Sequence, residues 1–296
     1  MQVGFIGLGA MGAPMAGHLI EAGHTLYLRD VGKIPQQLVT AGGKVCATSA
    51  EVARNAEVVI IMVPRTPDVE NVLFGPEGVA SGLSPGKTVV DMSSTSPFGT
   101  REFAPKINAL GCDYLDAPVS GGDVGAQNAT LAIMVGGPQA AYDRIKPLFE
   151  SMGKNVNRVG GSGDGHTTKL ANHIIVGGTM VAVAEALHFA ARAGADPAAV
   201  RRALIGGFGD SKILNLHGLR MIERDFVPGG PAVFQLKDMR TAQEFAGKIG
   251  LQLELLDTMI AMYSDLIAHE GTGLDVSGVM LEVERRSDAA KPGKDA

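Results

Sequence analysis

A lysine that stands three positions before an asparagine is the side chain of this sequence best suited to donating a proton. Lys169 and Asn172 stand in the run 163–172, GDGHTTKLAN. Residues three apart on a helix share a face, so the ammonium and the amide would lie side by side. An ammonium can donate a proton, but a lysine in such a run is also a common solvated helix position. The spacing by itself leaves both interpretations open.

A glycine pattern near the start of the chain is the second candidate. It follows a predicted strand, Gln2–Ile6, and precedes a predicted helix, Ala13–Ala22. Glycines at these spacings allow a tight turn, close approach of the backbone to a pyrophosphate, and close packing of helix on strand. The helix N-terminus attracts phosphate. An ordinary glycine turn is the alternative, but strand, turn, helix and second strand agree on a dinucleotide site. We predict that it is formed by Gly7, Gly9, Ala10, Met11 and Gly12.

Asp30 directly follows the second predicted strand, Thr25–Arg29, and lies eighteen residues after Gly12. A carboxylate there accepts hydrogen bonds from ribose hydroxyls and repels a 2′-phosphate, which favours NAD. Arg29 and Lys33 flank it and leave NADP possible. The nucleotide should lie across the carboxyl ends of the strands, although the residues there could also be loop ends without a ligand. We predict further cofactor contacts at Met62, Val63 and Pro64, after the third strand, and at Ser93 and Ser94, after the fourth.

The elements that would position these residues fall into two groups. Short β-rich runs alternate with helical stretches in the first half, which predicts an α/β fold with a doubly wound Rossmann sheet. Strand signals disappear after Thr167, and a proline-free stretch from His166 to Ala193 predicts a long interdomain helix. Gly177 and Gly178 within it suggest close helix packing. We predict a dinucleotide-binding domain over residues 1–162 and an all-helical substrate and oligomerisation domain over 163–290.

The predicted strands and the other predicted helix complete this expectation. Beyond the two strands above, they are Val58–Val63, Thr88–Asp91, Asp113–Ala117, Thr130–Val135 and Val156–Val159, with a helix at Gln139–Met152.

Composition excludes several classes of protein. A net charge of −5 over 296 residues offers no basic surface for nucleic acid or anionic lipid. Apolar runs such as Val58–Val63 are far shorter than a bilayer span, so no membrane is expected. Two cysteines without a CxxC motif suggest a reduced, cytoplasmic setting, and the histidines lack metal-ligand spacing, so no metal is expected. Residues 287–296 read as a frayed tail.

A serine and two glycines, Ser120, Gly121 and Gly122, follow the predicted strand Asp113–Ala117. Consecutive backbone N–H groups and a hydroxyl suit a carboxylate, although a plain turn has the same composition.

Four motifs, in order along residues 1–285, resemble the β-hydroxyacid dehydrogenase family. They are GFIGLGAMGAPMA, DAPVSGG, GDGHTTKLAN and the tripeptide Leu236-Lys237-Asp238. The resemblance implies that Lys169 is catalytic, that Asn172 binds substrate, that Ser120, Gly121 and Gly122 hold its carboxylate, and that Ser94 and Lys237 contact the cofactor. Many members have a second asparagine where this chain has His173, which leaves one secondary substrate contact open.

The resemblance also implies a reaction. Reduction of a carbonyl by a nicotinamide needs a hydride on carbon and a proton on oxygen, and a lysine ammonium can supply the proton. Several short segments of the sequence most resemble family members that reduce a small 3-oxo acid, and they favour the reduction of tartronate semialdehyde to D-glycerate. A dehydrogenase of 3-hydroxyisobutyrate or another short-chain semialdehyde is the alternative, and a non-catalytic nucleotide-binding or oligomerising module is a third. We also expect a homodimer or homotetramer.

Overall fold

The computed structural model describes residues 1–289. The chain forms two compact units, Met1–Lys169 and Leu170 onward. This division falls later than the predicted boundary between residues 162 and 163. The difference arises because the first turn of the long helix, which carries the buried His166, packs within the first unit. Residues 290–296, most of the predicted frayed tail, lie outside the described residues, and residues 287–289 end a helix.

The strands of the first unit form one sheet. Its hydrogen-bonded order is β3-β2-β1-β4-β5-β6-β8-β7, and β9 pairs with β8. The pairs among β1 to β6 are parallel, β8 is antiparallel to both β6 and β7, and β9 is parallel to β8. The strands are β1 Gln2–Ile6, β2 Thr25–Arg29, β3 Lys44–Val45, β4 Val58–Ile61, β5 Thr88–Asp91, β6 Asp113–Asp116, β7 Val119–Ser120, β8 Leu131–Gly136 and β9 Gly153–Gly160.

Both faces of this sheet are covered, as a doubly wound fold requires. Val58 and Ile60 of β4 lie in one buried apolar cluster, and the alternating Val59 and Ile61 lie in another. Successive residues of a strand point to opposite faces, so a continuous apolar run is what a strand buried on both sides needs. The predicted Rossmann sheet is confirmed.

Helices connect the strands of this unit. They are α1 Gly12–Glu21, α2 Gln36–Thr40, α3 Ser49–Asn55, α4 Thr66–Phe74, α5 Pro97–Asn108, α6 Gly122–Gln127 and α7 Gln139–Glu150. Predicted and observed bounds differ by a few residues at most. The predicted third strand ends early, at Ile61, because the Val63 amide donates to the Ser93 hydroxyl and not to a neighbouring strand. Two-residue strands β3 and β7 were too short for the sequence pattern to predict.

In the rest of the described chain the regular secondary structure is helical, apart from one isolated bridge, Pro231 to Asp275. The predicted all-helical second part is therefore confirmed. Gly194, with φ +86°, follows the long helix, and the Asp196 side chain accepts from the amides of Ala198 and Ala199. The helices are α8 Asp164–Arg192, α9 Pro197–Leu204, α10 Lys212–Glu223, α11 Ala232–Lys248, α12 Glu254–Glu270 and α13 Val279–Ala289.

Helix α8 begins in the first unit and continues into the second. A Cβ on Gly177 would lie 3.0 Å from the Met239 sulfur of α11 and 3.1 Å from the Met259 sulfur of α12, so the predicted close packing at this glycine is confirmed. Among the described residues, α8 is also the one helix with the length and mean hydropathy of a membrane span. This criterion uses only length and mean hydropathy, and core helices of soluble proteins also meet it.

Candidate active site

The glycine turn between β1 and α1 has the geometry that a dinucleotide needs. Gly7 has φ +97°, and a Cβ there would lie 2.1 Å from the Met62 carbonyl oxygen. A Cβ on Gly12 would lie 2.0 Å from the Gly7 carbonyl oxygen, so only glycine allows this turn to close. A Cβ on Gly9 would meet no atom within 4 Å. Gly9 therefore borders open space where a side chain would block a phosphate, and the turn fits the pyrophosphate of NAD(P).

Asp30, directly after β2, is tied to this turn. Its Oδ2 accepts from the Leu8 amide at 2.5 Å, and its Oδ1 accepts from the Gly32 amide at 2.6 Å. Each carboxylate oxygen has a second lone pair, so the group can still accept a ribose hydroxyl. Asp30 thus fixes the glycine turn in addition to its predicted contact with the ribose.

The residues after β4 and β5 lie at the same edge of the sheet as the glycine turn, because parallel strands end at one edge. Val63 is joined to Ser93 by the 3.0 Å hydrogen bond that ends β4, and Met62 donates from its amide to the Ile6 carbonyl. Met62, Val63 and Ser94 are half-buried, while Pro64 is exposed. The structure therefore gathers the predicted nucleotide residues of the first unit along one edge.

Ser120 reaches this edge by a different route. Strand β7 is antiparallel to β8, which is antiparallel to β6, so β7 runs in the same direction as β6 and ends at the same edge. Gly121 and Gly122 have φ +146° and +63°, values that favour glycine, and both are exposed. A Cβ on Gly122 would meet nothing within 4 Å, which leaves the backbone there accessible to a ligand.

A buried histidine that the sequence analysis did not assign lies at the start of α8. The His166 side chain is fully buried. Its Nε2 is 3.0 Å from the Ser93 carbonyl oxygen, which requires that this nitrogen carry a proton and donate. Its Nδ1 is 2.7 Å from the Thr100 hydroxyl. His166 therefore fastens the first turn of α8 to the segment that follows β5.

Two carboxylates flank His166, from the carboxyl ends of β5 and β6. The closest oxygens of Asp91 and Asp116 are both 3.8 Å from the ring nitrogens. Asp116 also accepts from the amides of Gly163 and His166 at 2.8 Å, so it satisfies N–H groups at the start of α8. Burial raises the pKa of Asp116, and His166 and these amides oppose that effect.

Gly165 makes room for this arrangement, because a Cβ there would lie 2.5 Å from the carbonyl oxygens of Asp116 and Met134. The second glycine of the Gly-Asp-Gly-His run is thus explained by packing. The sequence contained a signal in the form of two strands that end in aspartate and a histidine in the first turn of a later helix, but His166 lies 50 or more residues after these aspartates.

Lys169 lies one helical turn after His166 and is 8% exposed. The anchored first turn therefore fixes the start of the helix segment that carries the lysine, close to the carboxyl ends of β5 and β6. Lys169 closes the first unit.

The remaining predicted residues belong to the second unit. Asn172 is half-buried on α8, and Lys237 lies on α11 with its side chain 28% exposed. His173, beside Asn172, is buried and contacts Gln235 and Asp238 of α11. Asp238 also pairs with Lys237, its Oδ1 lying 2.9 Å from the ammonium. The structure thus connects the position that departs from the family pattern with the second predicted lysine.

Other candidate chemistry is sparse. Across residues 1–289, no group of three or more His, Cys, Asp and Glu side chains is arranged to hold a metal ion. Cys46 and Cys112 are buried thiols without a disulfide, and burial raises the pKa of each. A raised thiol pKa disfavours the reactive thiolate, which fits a packing role for both side chains.

Two family models match consecutive parts of the chain. Residues 2–161 match the family model described as the NAD binding domain of 6-phosphogluconate dehydrogenase. Residues 163–282 match the model described as NAD-binding of NADP-dependent 3-hydroxyisobutyrate dehydrogenase.

Individual relatives are similar over nearly the whole chain. The 2-hydroxy-3-oxopropionate reductase of Escherichia coli is 48% identical over 96% of this chain and 97% of its own length. A probable mitochondrial 3-hydroxyisobutyrate dehydrogenase-like protein of Arabidopsis thaliana is 37% identical over 100% of this chain and 89% of its own. The crystal structure of 3-hydroxyisobutyrate dehydrogenase from Salmonella typhimurium superposes with a TM-score of 0.84 at 29% identity, covering 95% of this chain and 99% of that one. The chain therefore belongs to the 3-hydroxyisobutyrate dehydrogenase family of β-hydroxyacid dehydrogenases and is an NAD(P)-dependent oxidoreductase.

Proposed function

We propose that this enzyme reduces tartronate semialdehyde to D-glycerate with a nicotinamide cofactor, and that Lys169 is the proton donor. The observation that carries the proposal is the 48% identity, over nearly the full chain, to a 2-hydroxy-3-oxopropionate reductase. Burial of Lys169 one turn after the anchored His166 supports its assignment as the donor.

A nicotinamide cofactor held at the glycine turn would supply the hydride for the aldehyde carbon. Lys169 donates a proton to the oxygen and stabilises the negative charge that develops there beforehand. Ser120 and the amides of Gly121 and Gly122 hold the substrate carboxylate, and Asn172 orients the substrate through its hydroxyl or carbonyl oxygen. A fixed start of α8 reduces the loss of entropy when the lysine is brought to the reacting oxygen.

Cofactor preference is part of the proposal. Asp30 is expected to accept from the adenine ribose and to favour NADH, because its carboxylate repels a 2′-phosphate. Lys237 is proposed to lie near the nicotinamide.

We further propose a cytoplasmic homodimer or homotetramer. Exposed apolar side chains of the second unit support self-association, among them Ile175 and Phe189 of α8, 69% and 76% exposed, and Leu255 of α12. Light scattering at micromolar concentration tests this directly, since a single species of 30.7 kDa would contradict it.

The competing activity is dehydrogenation of 3-hydroxyisobutyrate, which the Arabidopsis relative and the Salmonella structure favour. The deciding experiment is steady-state kcat/KM on tartronate, methylmalonate and succinic semialdehydes, each with NADH and with NADPH. The kcat/KM for tartronate semialdehyde should exceed that for the other two by at least about tenfold. One differing group in a small site changes the binding free energy by about 1–3 kcal/mol. A higher value for methylmalonate semialdehyde would assign the competing activity.

A further inference from the structure

His173 lies in a buried polar cluster whose hydrogen bonds determine its proton count. Its Nδ1 is 2.9 Å from the Gln235 amide oxygen. The orientation of that amide is not arbitrary, because Gln235 Nε2 donates to the His173 carbonyl at 3.1 Å. With the nitrogen committed as donor, Gln235 turns its oxygen toward the ring, and an amide oxygen can only accept. Nδ1 of His173 therefore carries a proton.

The other ring nitrogen faces a carboxylate. His173 Nε2 is 3.1 Å from Asp238 Oδ2, an ion-pair contact when the ring is protonated. A bare Nε2 would turn its lone pair toward the carboxylate, which is repulsive, whereas a protonated ring is attracted without strict alignment. The side chains of His173 and Asp238 are 11% and 8% exposed, so neither repulsion nor attraction is well screened by water.

Asp238 divides its two oxygens between two cations. Oδ2 faces His173, and Oδ1 is 2.9 Å from the Lys237 ammonium. An ammonium at that distance pairs with the ionised carboxylate and not with the neutral acid. The cluster then contains two positive charges and one negative charge, a net charge of +1. Lys237, with its side chain 28% exposed, is the member most accessible to solvent.

We propose that His173 is a charged imidazolium which neutralises Asp238, so that this cluster presents a net positive charge through Lys237 to an anionic oxygen group of a bound ligand. The ligand group is the substrate carboxylate or a cofactor phosphate. This role rests on the proposed function. His173 is a positioning residue, because it acts on the ligand through Asp238 and Lys237 and does not touch the reacting atoms.

The proton count can be measured without turnover. In protein labelled with 15N-histidine at pH 7.5, both ring nitrogens of His173 should have the chemical shifts of protonated nitrogen. The signal is assigned by its loss in His173→Asn, and the partly exposed His24 serves as an internal reference. In Asp238→Asn, one ring nitrogen should become bare. A bare ring nitrogen in the wild-type protein would overturn the proposal, whatever the substrate proves to be.

The charge count is tested by kinetics. His173→Asn keeps a polar side chain but reduces the net charge of the cluster from +1 to 0, and His173→Asn/Asp238→Asn returns it to +1. The single variant should raise KM for one anionic ligand on the order of tenfold with kcat within about threefold, and the double variant should recover most of that loss. Wild-type KM should also rise more steeply with salt than that of the single variant.

The two possible anionic groups are distinguished by the ligand whose KM changes in His173→Asn. A rise in KM for the oxo acid assigns the carboxylate, and a rise in KM for NADH assigns a phosphate. If neither changes, or if the double variant is no better than the single one while its melting temperature matches the wild type, the charge role is wrong. Absence of activity on tartronate semialdehyde in the wild type would refute the proposed function but leave the proton count standing.

Discussion

At the scale of single residues, the chemistry depends on side chains whose surroundings restrict them. Lys169 is buried, and His166 one turn earlier has both ring nitrogens engaged by groups of the segment after β5. Asp30 accepts from two backbone amides, that of Leu8 in the glycine turn and that of Gly32 in the loop after β2. His166 and Asp30 thus organise their neighbours, so variants at this site must be compared by both activity and stability.

Lys169→Ala should abolish turnover and spare cofactor binding. The ammonium acts on the substrate oxygen, and losing a general acid that also stabilises charge should lower kcat on the order of 10³-fold or more. NADH affinity, measured by fluorescence titration, should stay within about threefold, since no contact with the dinucleotide is removed. Lys146→Ala, on the exposed surface of α7, is the matched control. Retention of a tenth of the wild-type kcat would remove Lys169 from the mechanism.

Asp30→Ser should weaken the binding of NADH and strengthen the binding of NADPH. The substitution removes one hydrogen bond to the ribose and, at the same time, the repulsion of a 2′-phosphate. The ratio of kcat/KM for the two cofactors should move toward NADPH by about tenfold or more. A wild-type enzyme that already prefers NADPH tenfold would show that the carboxylate does not discriminate as proposed.

The substrate carboxylate should be required for efficient reduction. Glycolaldehyde keeps the hydroxyaldehyde of tartronate semialdehyde and lacks the acid group. Losing two or three hydrogen bonds to a charged group, at about 1.5–3 kcal/mol each, should lower kcat/KM at least about a hundredfold. Reduction of glycolaldehyde within tenfold of the acid would reassign Ser120, Gly121 and Gly122 to an ordinary turn.

At the scale of elements, two adjacent glycines of α8 lie against α11 and α12. Gly177 is its point of close approach to α11 and α12, and its missing Cβ also leaves space for the Gln235 amide, 3.1 Å from where that atom would be. Gly178 is different, since a Cβ there would lie 3.4 Å from Leu255 and 3.7 Å from the Met259 sulfur, ordinary contact distances. Two adjacent glycines thus have separate structural roles.

Gly177→Ala and Gly178→Ala form a matched pair. Each gains about 1 kcal/mol of helix propensity. At Gly177, crowding on three sides should cost about 1–3 kcal/mol, so the variant should be neutral to destabilised. At Gly178 the gain should dominate and raise the free energy of unfolding by up to about 1 kcal/mol. Urea titrations of both variants test this, and a Gly177 variant as stable as the Gly178 variant would refute close packing.

At the scale of the whole molecule, acid stability depends on a buried carboxylate that lies far from the candidate active-site motifs in sequence. Asp275 is fully buried and accepts from the amides of Gly229, Gly230 and Ser277. Arg220 of α10 lies 3.1 Å from its Oδ2. Burial alone would raise the pKa of Asp275, but His217 and the backbone and hydroxyl donors together lower it well below its usual range.

Asp275→Asn should destabilise the protein by about 3 kcal/mol at neutral pH, because buried cationic and amide donors lose their partner. A carboxylate with a lowered folded-state pKa stabilises the fold above the pKa of the unfolded chain, about 3.9, and loses that effect as the pH falls. The difference in melting temperature between wild type and variant should thus be constant from about pH 5 to 8 and shrink below about pH 4. Asp288→Asn, an exposed ion-pair partner, should show little difference at any pH. A constant difference down to pH 3 would contradict the lowered pKa.

Much of this protein is determined by its sequence alone. The glycine turn, the doubly wound sheet, the long α8 and the Asp196 cap follow from backbone freedom at glycine, hydrophobic periodicity and short-range capping, all of which act within a few residues. The family resemblance rests on the same local motifs. Element ends differ from the prediction by up to three residues, and at the end of β4 the cause is a distant partner, the Ser93 hydroxyl that accepts from the Val63 amide.

Tertiary structure decided the partners of the buried polar groups. His166 meets Thr100 across 66 positions, His173 meets Gln235 across 62, and Asp275 meets Gly229 across 46. No local pattern specifies such pairs, since a histidine or aspartate has the same sequence signature whether it is solvated or buried. Burial in a low-dielectric interior makes an unpaired polar group costly, so the packing of distant elements selects which of these side chains must meet and which protons they carry.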